Sequence, residues 1–241
     1  MTELLYQTYA YMREFTAFVT AVTPEGGVVL DRTAFYPTGG GQPCDFGHLV
    51  THDGRRYAIT QVKKVGEEVV HVGEGDALVA GEMVTGQLDW ERRYQLMRTH
   101  TAMHILCGVV WRDYKAQVTG GNMDPLQGRM DFEFETMSQE LVAEIEAAVN
   151  REVEAAHPVY VRFLPREEAF QIPDLIRTKI NLLPPAITEI RIVQLAVLDL
   201  QADGGTHVAN TREVGRMRIT DYKSKGKINK RIYVELDRDE R

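Results

Sequence analysis

The rhythm of apolar and polar positions changes near Asp89. Before it, from Phe15 to Gln87, apolar residues come in short runs broken by turn formers: Phe18–Val22, Pro24–Gly27, Val28–Leu30, a glycine run at Gly39–Gly41, His48–Thr51, Asp53-Gly54, Tyr57–Val62, Val69–Val72 and Val84–Leu88. Strands of this length and spacing predict a small β-barrel or sandwich, with Asp53-Gly54 as its best hairpin turn. After Asp89, a plausible N-cap, the chain runs from Trp90 to about Tyr114 without proline and with Gly108 as its only breaker. Trp90, Leu96, Met97, Met103, Leu106 and Val110 fall at helical spacing and predict an apolar stripe.

Two further runs, Val118–Asn122 and Arg129–Glu135, read as strands around a turn at Asp124-Pro125. Ser138 caps a second predicted helix whose Leu141, Val142, Ile145, Val149 and Val153 share one face. A short strand at Pro158–Leu164, a helical piece at Arg166–Ile172, a looser stretch and a strong strand at Ile190–Leu198 follow. No internal repeat or low-complexity linker interrupts them. The mixture predicts an α+β protein: a small N-terminal β-barrel-like domain over 1–88, then a C-terminal α+β domain of helix on sheet over 89–241.

Composition excludes several classes. With 44% hydrophobic and 26% charged residues over 241 positions, the chain can bury a substantial core, so it is not a disordered one. No run approaches the roughly 18 apolar residues of a bilayer span. The stretch from Met1 to Phe15 carries Glu3, Arg13 and Glu14 without a basic-then-apolar order, unlike a signal peptide. Cys44 and Cys107 cannot build a disulfide framework. A cytoplasmic protein with no membrane partner is the expectation. The net charge of −7 argues against indiscriminate nucleic-acid binding. It leaves room for a local basic patch, and Lys223, Lys225, Lys227, Lys230 and Arg231 form one.

The candidate chemistry lies in the second half. His100 and His104 stand four apart in mid-helix, so both imidazoles leave one face about a turn apart, a spacing that suits a single metal ion. Alone, such a pair reads equally as core or surface histidines. A second motif follows the Ile190–Leu198 strand, where Asp203-Gly204-Gly205-Thr206-His207 sets a carboxylate and an imidazole on a glycine-rich turn. His100, His104, Asp203 and His207 together match tetrahedral zinc; without Asp203, three histidines and a water remain, with zinc drawing the water pKa toward about 7. A zinc-bound water is then the catalytic group, and no side chain is assigned as general base. Cys107, on the same helix face, is a conceivable ligand but reads better as a small buried hydrophobe.

With both motifs in place, the sequence resembles the alanyl-tRNA editing proteins called AlaX, freestanding relatives of the editing domain of alanyl-tRNA synthetase. The resemblance spans nearly the whole chain. It rests on Phe35-Tyr36-Pro37-Thr38-Gly39-Gly40-Gly41-Gln42, His100-Thr101-Ala102-Met103-His104, Arg129-Met130-Asp131-Phe132, and Gly204-Gly205-Thr206-His207-Val208 followed by Asn210-Thr211. It implies a zinc-dependent hydrolase that removes serine, and in some members glycine, from mischarged tRNA(Ala). His100, His104 and His207 match three family zinc ligands, and Asp203 stands where cysteine is usual. Met103 stands where many relatives carry threonine, and Gly120 where synthetase editing domains often carry glutamine.

The substrate contacts implied are Gly40, Gly41 and Gln42, whose backbone and amide groups can donate to an oxyanion or to the tRNA acceptor end, and Thr101, Thr119 and Thr206 as partners for a serine hydroxyl. The glycine run also reads as a tight turn of the barrel. For the tRNA, the resemblance leads to Arg92, Arg93 and Arg98 on the helix and to Lys223, Lys225, Lys227, Lys230 and Arg231. The basic cluster reads alternatively as a solvated hairpin around Gly226, and the arginines as partners of Asp89 or Glu91. Two rival functions remain: a non-catalytic, zinc-stabilised module that binds tRNA or a synthetase, and a hydrolase of some other ester.

Overall fold

A computed structural model describes residues 1–176 and 187–238. Most of the looser stretch expected before Ile190 lies outside the described residues. The chain divides into two compact units, Met1–Gln95 and Leu96–Arg241.

In the first unit, β1 (Glu3–Leu4), β2 (Glu14–Val22), β3 (Val28–Leu30), β4 (Arg32–Thr33), β5 (Gly47–Thr51), β6 (Arg56–Val65), β7 (Glu68–Gly75) and β8 (Met83–Leu88) follow one another. Six of them close a barrel in the order β2-β3-β7-β6-β5-β8, with every ladder antiparallel. Alternation dictates the closure: on β2, Phe15, Ala17 and Val19 are buried while Glu14, Thr16 and Thr20 are exposed. Phe35, Leu49, Ile59 and Val69 complete that core. The helix α1 (Trp90–Tyr114) starts where Asp89 Oδ1 accepts the Arg92 N–H. Compactness breaks the chain inside this helix, after Gln95, rather than at Asp89. The reason is that Arg92 and Arg93 are tied into the barrel unit, through Cys44 O and Asp45.

The second unit carries most of α1, then β9 (Val118–Asp124), β10 (Gln127–Glu133), α2 (Gln139–Glu154), β11 (Val159–Pro165), α3 (Arg166–Ala169), β12 (Glu189–Leu195), β13 (Asp199–Ala202), β14 (Met217–Ser224) and β15 (Asn229–Leu236). One sheet runs β14-β15-β10-β9 and another β11-β12-β13. Ser138 caps α2, and Val142, Ile145, Ala148, Val149 and Val153 form its buried face. Asn150 on α2 bonds both the N–H and the C=O of Met217, joining that helix to the sheet edge.

Two expectations are corrected. From Leu96 to Val110, α1 is buried on every face instead of along one stripe. The apolar run Ile190–Leu198 is not one strand but a hairpin turned at Ala196, which takes φ 44°, with Leu198 N bonded to Leu195 O. No glycine, proline or asparagine marks this turn; Val197 at its tip is fully exposed. Gly108, the only breaker in α1, is explained by the same hairpin. A Cβ there would lie 2.9 Å from Leu198 Cγ and 3.2 Å from Asp199 Cβ, so glycine lets the strand start against the helix.

Candidate metal centre

Two segments of the second unit deliver four ligand-type side chains to one place. His100 and His104 come from α1, Asp203 and His207 from the loop after β13, and one ligand atom of each lies within 4.8 Å of all the others. Ring centroids are 4.3 Å apart for His100 and His207, 4.7 Å for His104 and His207, and 5.2 Å for His100 and His104. Asp203 reaches in between, with Oδ1 3.5 Å from His100 Nε2 and Oδ2 3.0 Å from His207 Nε2. The three imidazoles are buried and Asp203 is half-buried.

The loop owes its shape to Asp203 itself. Gly205 N–H donates to Asp203 Oδ2 at 2.7 Å, and Arg191 Nη1 on β12 donates to Asp203 O at 2.8 Å. Crowding does not demand glycine at 204, where a Cβ would meet nothing within 4 Å. Two rings are held from behind: His104 Nδ1 lies 2.9 Å from Asp199 Oδ2 and His207 Nδ1 lies 3.2 Å from Thr101 Oγ1.

Burial sets the electrostatics. It pushes His100 down to about 4 against the pull of Asp203, and holds His207 well below its ordinary value, helped by His100. Burial would raise Asp203, but the charge of His100 and the hydrogen bond from His207 bring it well below the usual carboxylate range. For His104, burial is outweighed by the hydrogen bond and charge of Asp199, and its pKa rises. Neutral His100 and His207 beside an ionised Asp203 are the protonation states in which these groups ligate a metal, whereas His104, held toward its charged form by Asp199, must give up a proton to do so. The chemistry of the donor set, three imidazoles and a carboxylate whose Oδ1 is 3.5 Å from His100 Nε2 and Oδ2 3.0 Å from His207 Nε2, suits a divalent cation such as zinc. Cys107 is outside this group; it is buried, and its Sγ accepts from Gln201 Nε2 at 3.4 Å.

The other predicted residues fall in varied surroundings. Thr101 is wholly buried, with its Oγ1 also accepting the Val208 N–H at 3.2 Å. Thr206 is buried in the loop, whereas Thr119 is exposed on β9 and donates to Asn229 Oδ1. Gly40 and Gly41 take φ 57° and 86°, and Gly39 and Gln42 exchange both backbone hydrogen bonds across them. This glycine run is thus a two-residue turn of the kind only glycine tolerates well. Tyr36 clamps it through its hydroxyl on Gly39 O, and the Gln42 side chain is buried.

Three of the proposed tRNA-facing cations are corrected. Arg93 is completely buried and donates to Asp45, Ala10 O and Ala34 O. Arg98 is enclosed on Val214 O and Asp237 O. Lys230 is buried with its Nζ on Gly226 O and Lys227 O, closing the hairpin. All three spend their donors on carbonyls or a carboxylate of their own unit. Arg231 is committed to a two-bond pair with Asp131. Lys223 is exposed beside Asp221, Lys225 and Lys227 are exposed at the turn, and Arg92 lies half-buried over the Phe46 ring.

Asp199, Gln201 and Arg191 surround the centre without having been read as functional. The signal for Asp199 and Gln201 is that polar residues alternate with Leu200 and Ala202 just before Asp203, and for Arg191 that a lone cation interrupts an apolar strand.

Residues 5–92 match the family described as tRNA synthetases class II (A), and residues 190–233 match the threonyl and alanyl tRNA synthetase second additional domain. Both matches are to families named for tRNA synthetases. The alanyl-tRNA editing protein AlaX-M of Saccharolobus solfataricus is 41% identical over 239 residues, covering 97% of this chain and 98% of that protein. AlaX-M of Methanosarcina acetivorans is 39% identical over 243 residues, covering 98% and 99%. An alanine–tRNA ligase of Pyrobaculum aerophilum is 41% identical over 224 residues, 90% of this chain but 25% of the ligase. The chain belongs to the AlaX-M family of alanyl-tRNA editing proteins. No helix among the described residues is long and apolar enough to cross a membrane.

Proposed function

We propose that this protein is a zinc-dependent trans-editing hydrolase acting in the cytoplasm, which deacylates mischarged tRNA(Ala), Ser-tRNA(Ala) first and Gly-tRNA(Ala) as a further substrate. The observation that carries the reading is the convergence of His100, His104, Asp203 and His207 on one point. These four residues hold the metal. The chemistry such a cation supplies when bound is polarisation of an ester carbonyl and activation of water.

The chain supplies the rest. Gly40 and Gly41 are assigned, within the barrel unit, as backbone donors to the tRNA acceptor end, with Gln42 supporting the turn. Thr206, buried in the loop just before His207, is the residue assigned to tell a seryl side chain from the methyl group of Ala-tRNA(Ala). Lys223, Lys225, Lys227 and Arg92 contact acceptor-stem phosphates. Mutating the three lysines to alanine lowers the slope of log affinity against log salt by about two to three.

The test is deacylation of Ser-tRNA(Ala) by the full chain and by His100→Ala and His207→Ala. Release of serine by the parent and its loss in both variants is the expected result. Unchanged turnover in both removes the metal from the reaction, and protection of the ester by the parent protein favours a binding module instead.

A further inference from the structure

We infer that Asp199 and Thr101 are positioning residues that lock the His104 and His207 rings with one nitrogen turned toward the metal, so that they set the affinity of the centre without touching the ion. The inference rests on the metal reading above and adds to it two residues with an assigned task.

The hydrogen bonds carry the argument. Asp199 is 2% exposed, and its Oδ2 accepts from His104 Nδ1 at 2.9 Å and from Gln201 Nε2 at 2.8 Å. Gln201 Nε2 also lies 3.4 Å from Cys107 Sγ. With Nδ1 occupied, His104 has only Nε2 to offer the centre. Thr101 does the same for His207. Its Oγ1 accepts the Val208 N–H at 3.2 Å and meets His207 Nδ1 at 3.2 Å, leaving Nε2 on the Asp203 side. Thr101 sits one residue after His100 on α1, and Val208 one residue after His207, so a single hydroxyl fixes both the ring and the backbone beside it. Its atoms are engaged, which sets it apart from a serine-binding hydroxyl.

The fold makes room for this. Asp199 opens β13 against α1 at Gly108, one helical turn beyond His104, where any Cβ would press on Leu198 and Asp199. Outer hydrogen bonds of this kind fix the tautomer and direction of a ligating imidazole.

The experiment titrates the metal-free full chain with Zn2+ in competition with a chromogenic chelator, and with Co2+ while recording its visible spectrum. Asp199→Asn and Thr101→Val are expected to weaken Zn2+ binding about 10- to 100-fold and to alter the Co2+ bands, while Thr101→Ser, which keeps the hydroxyl, binds like the parent. Parent-like affinity and spectra in both Asp199→Asn and Thr101→Val overturn the inference. If Asp199→Asn does not fold, the threonine pair decides: equal affinities for Thr101→Val and Thr101→Ser overturn it. His207→Ala separates the two levels, because a parent chain that binds Zn2+ no better than His207→Ala defeats the metal reading itself.

Discussion

Each unit buries charge-bearing groups, but on opposite terms. In the barrel unit, Arg93 meets Asp45 with both side chains at 0% exposure, and the remaining guanidinium donors end on Ala10 O and Ala34 O. Asp45 also accepts the Tyr36 N–H, so one cation and one anion close a loop of complementary bonds at the base of the glycine turn. His71 is equally satisfied there, between Val28 O and Thr33 Oγ1. In the second unit three imidazoles and a carboxylate face one another instead, a grouping that could hold a cation. Complementary donors and acceptors make a structural lock; converging acceptors make a site.

The strongest way to break this comparison is at the converging cluster. His207→Ala is expected to abolish Ser-tRNA(Ala) deacylation and to cut Zn2+ affinity by more than about a hundredfold, beyond the range for disturbing an outer partner, as read by chelator competition. It should leave the fold in place by circular dichroism. Arg93→Ala should do the reverse. Stranding Asp45 costs about 3–5 kcal/mol in urea unfolding, with Zn2+ affinity of the folded protein unchanged. Replacing both Arg93 and Asp45 by apolar residues should cost far less than the single change; an equal or larger loss contradicts the lock.

A smaller effect separates the buried histidine of the barrel from those of the centre. Burial, only partly offset by Val28 O, lowers His71 to about 4. The unfolded chain, with histidine near 6.5, binds that proton more readily, so the stability this residue contributes is complete above about pH 6.5 and drains away as pH falls toward 4, by of order 3 kcal/mol. Urea midpoints of the parent should therefore fall more steeply across this window than those of His71→Gln; parallel profiles contradict the assignment. Smallest of all is Cys107→Ala, expected to cost about 1 kcal/mol of stability and no Zn2+ affinity. A large loss of metal would return that thiol to the ligand set.

These comparisons also show what was legible in the sequence. The barrel was, because alternation such as Phe15, Ala17 and Val19 against exposed neighbours leaves little choice of face. The caps at Asp89 and Ser138 were legible for the same local reason. The cluster of His100, His104, Asp203 and His207 could be picked out, since two histidines four apart share a helix face and the glycine-rich turn sets a carboxylate near a third histidine. What escaped depends on partners distant in sequence. Arg93 and Arg98 look solvent-facing until each proves buried, Arg93 on Asp45 and Arg98 on Val214 O and Asp237 O. Asp199 was hidden at the end of an apparent strand, because Ala196 and Val197 turn the chain without any turn-forming residue. Thr101 was read as a substrate contact, because the partners that engage it, His207 and Val208, lie more than a hundred residues away.

Zinc content and editing measured on the same preparation bear most directly on the claim that converging lone pairs make a metal-dependent editing site. The account predicts one equivalent of zinc per chain, loss of Ser-tRNA(Ala) deacylation when a chelator strips it, and recovery when Zn2+ is returned. Full deacylation by metal-free protein would contradict it.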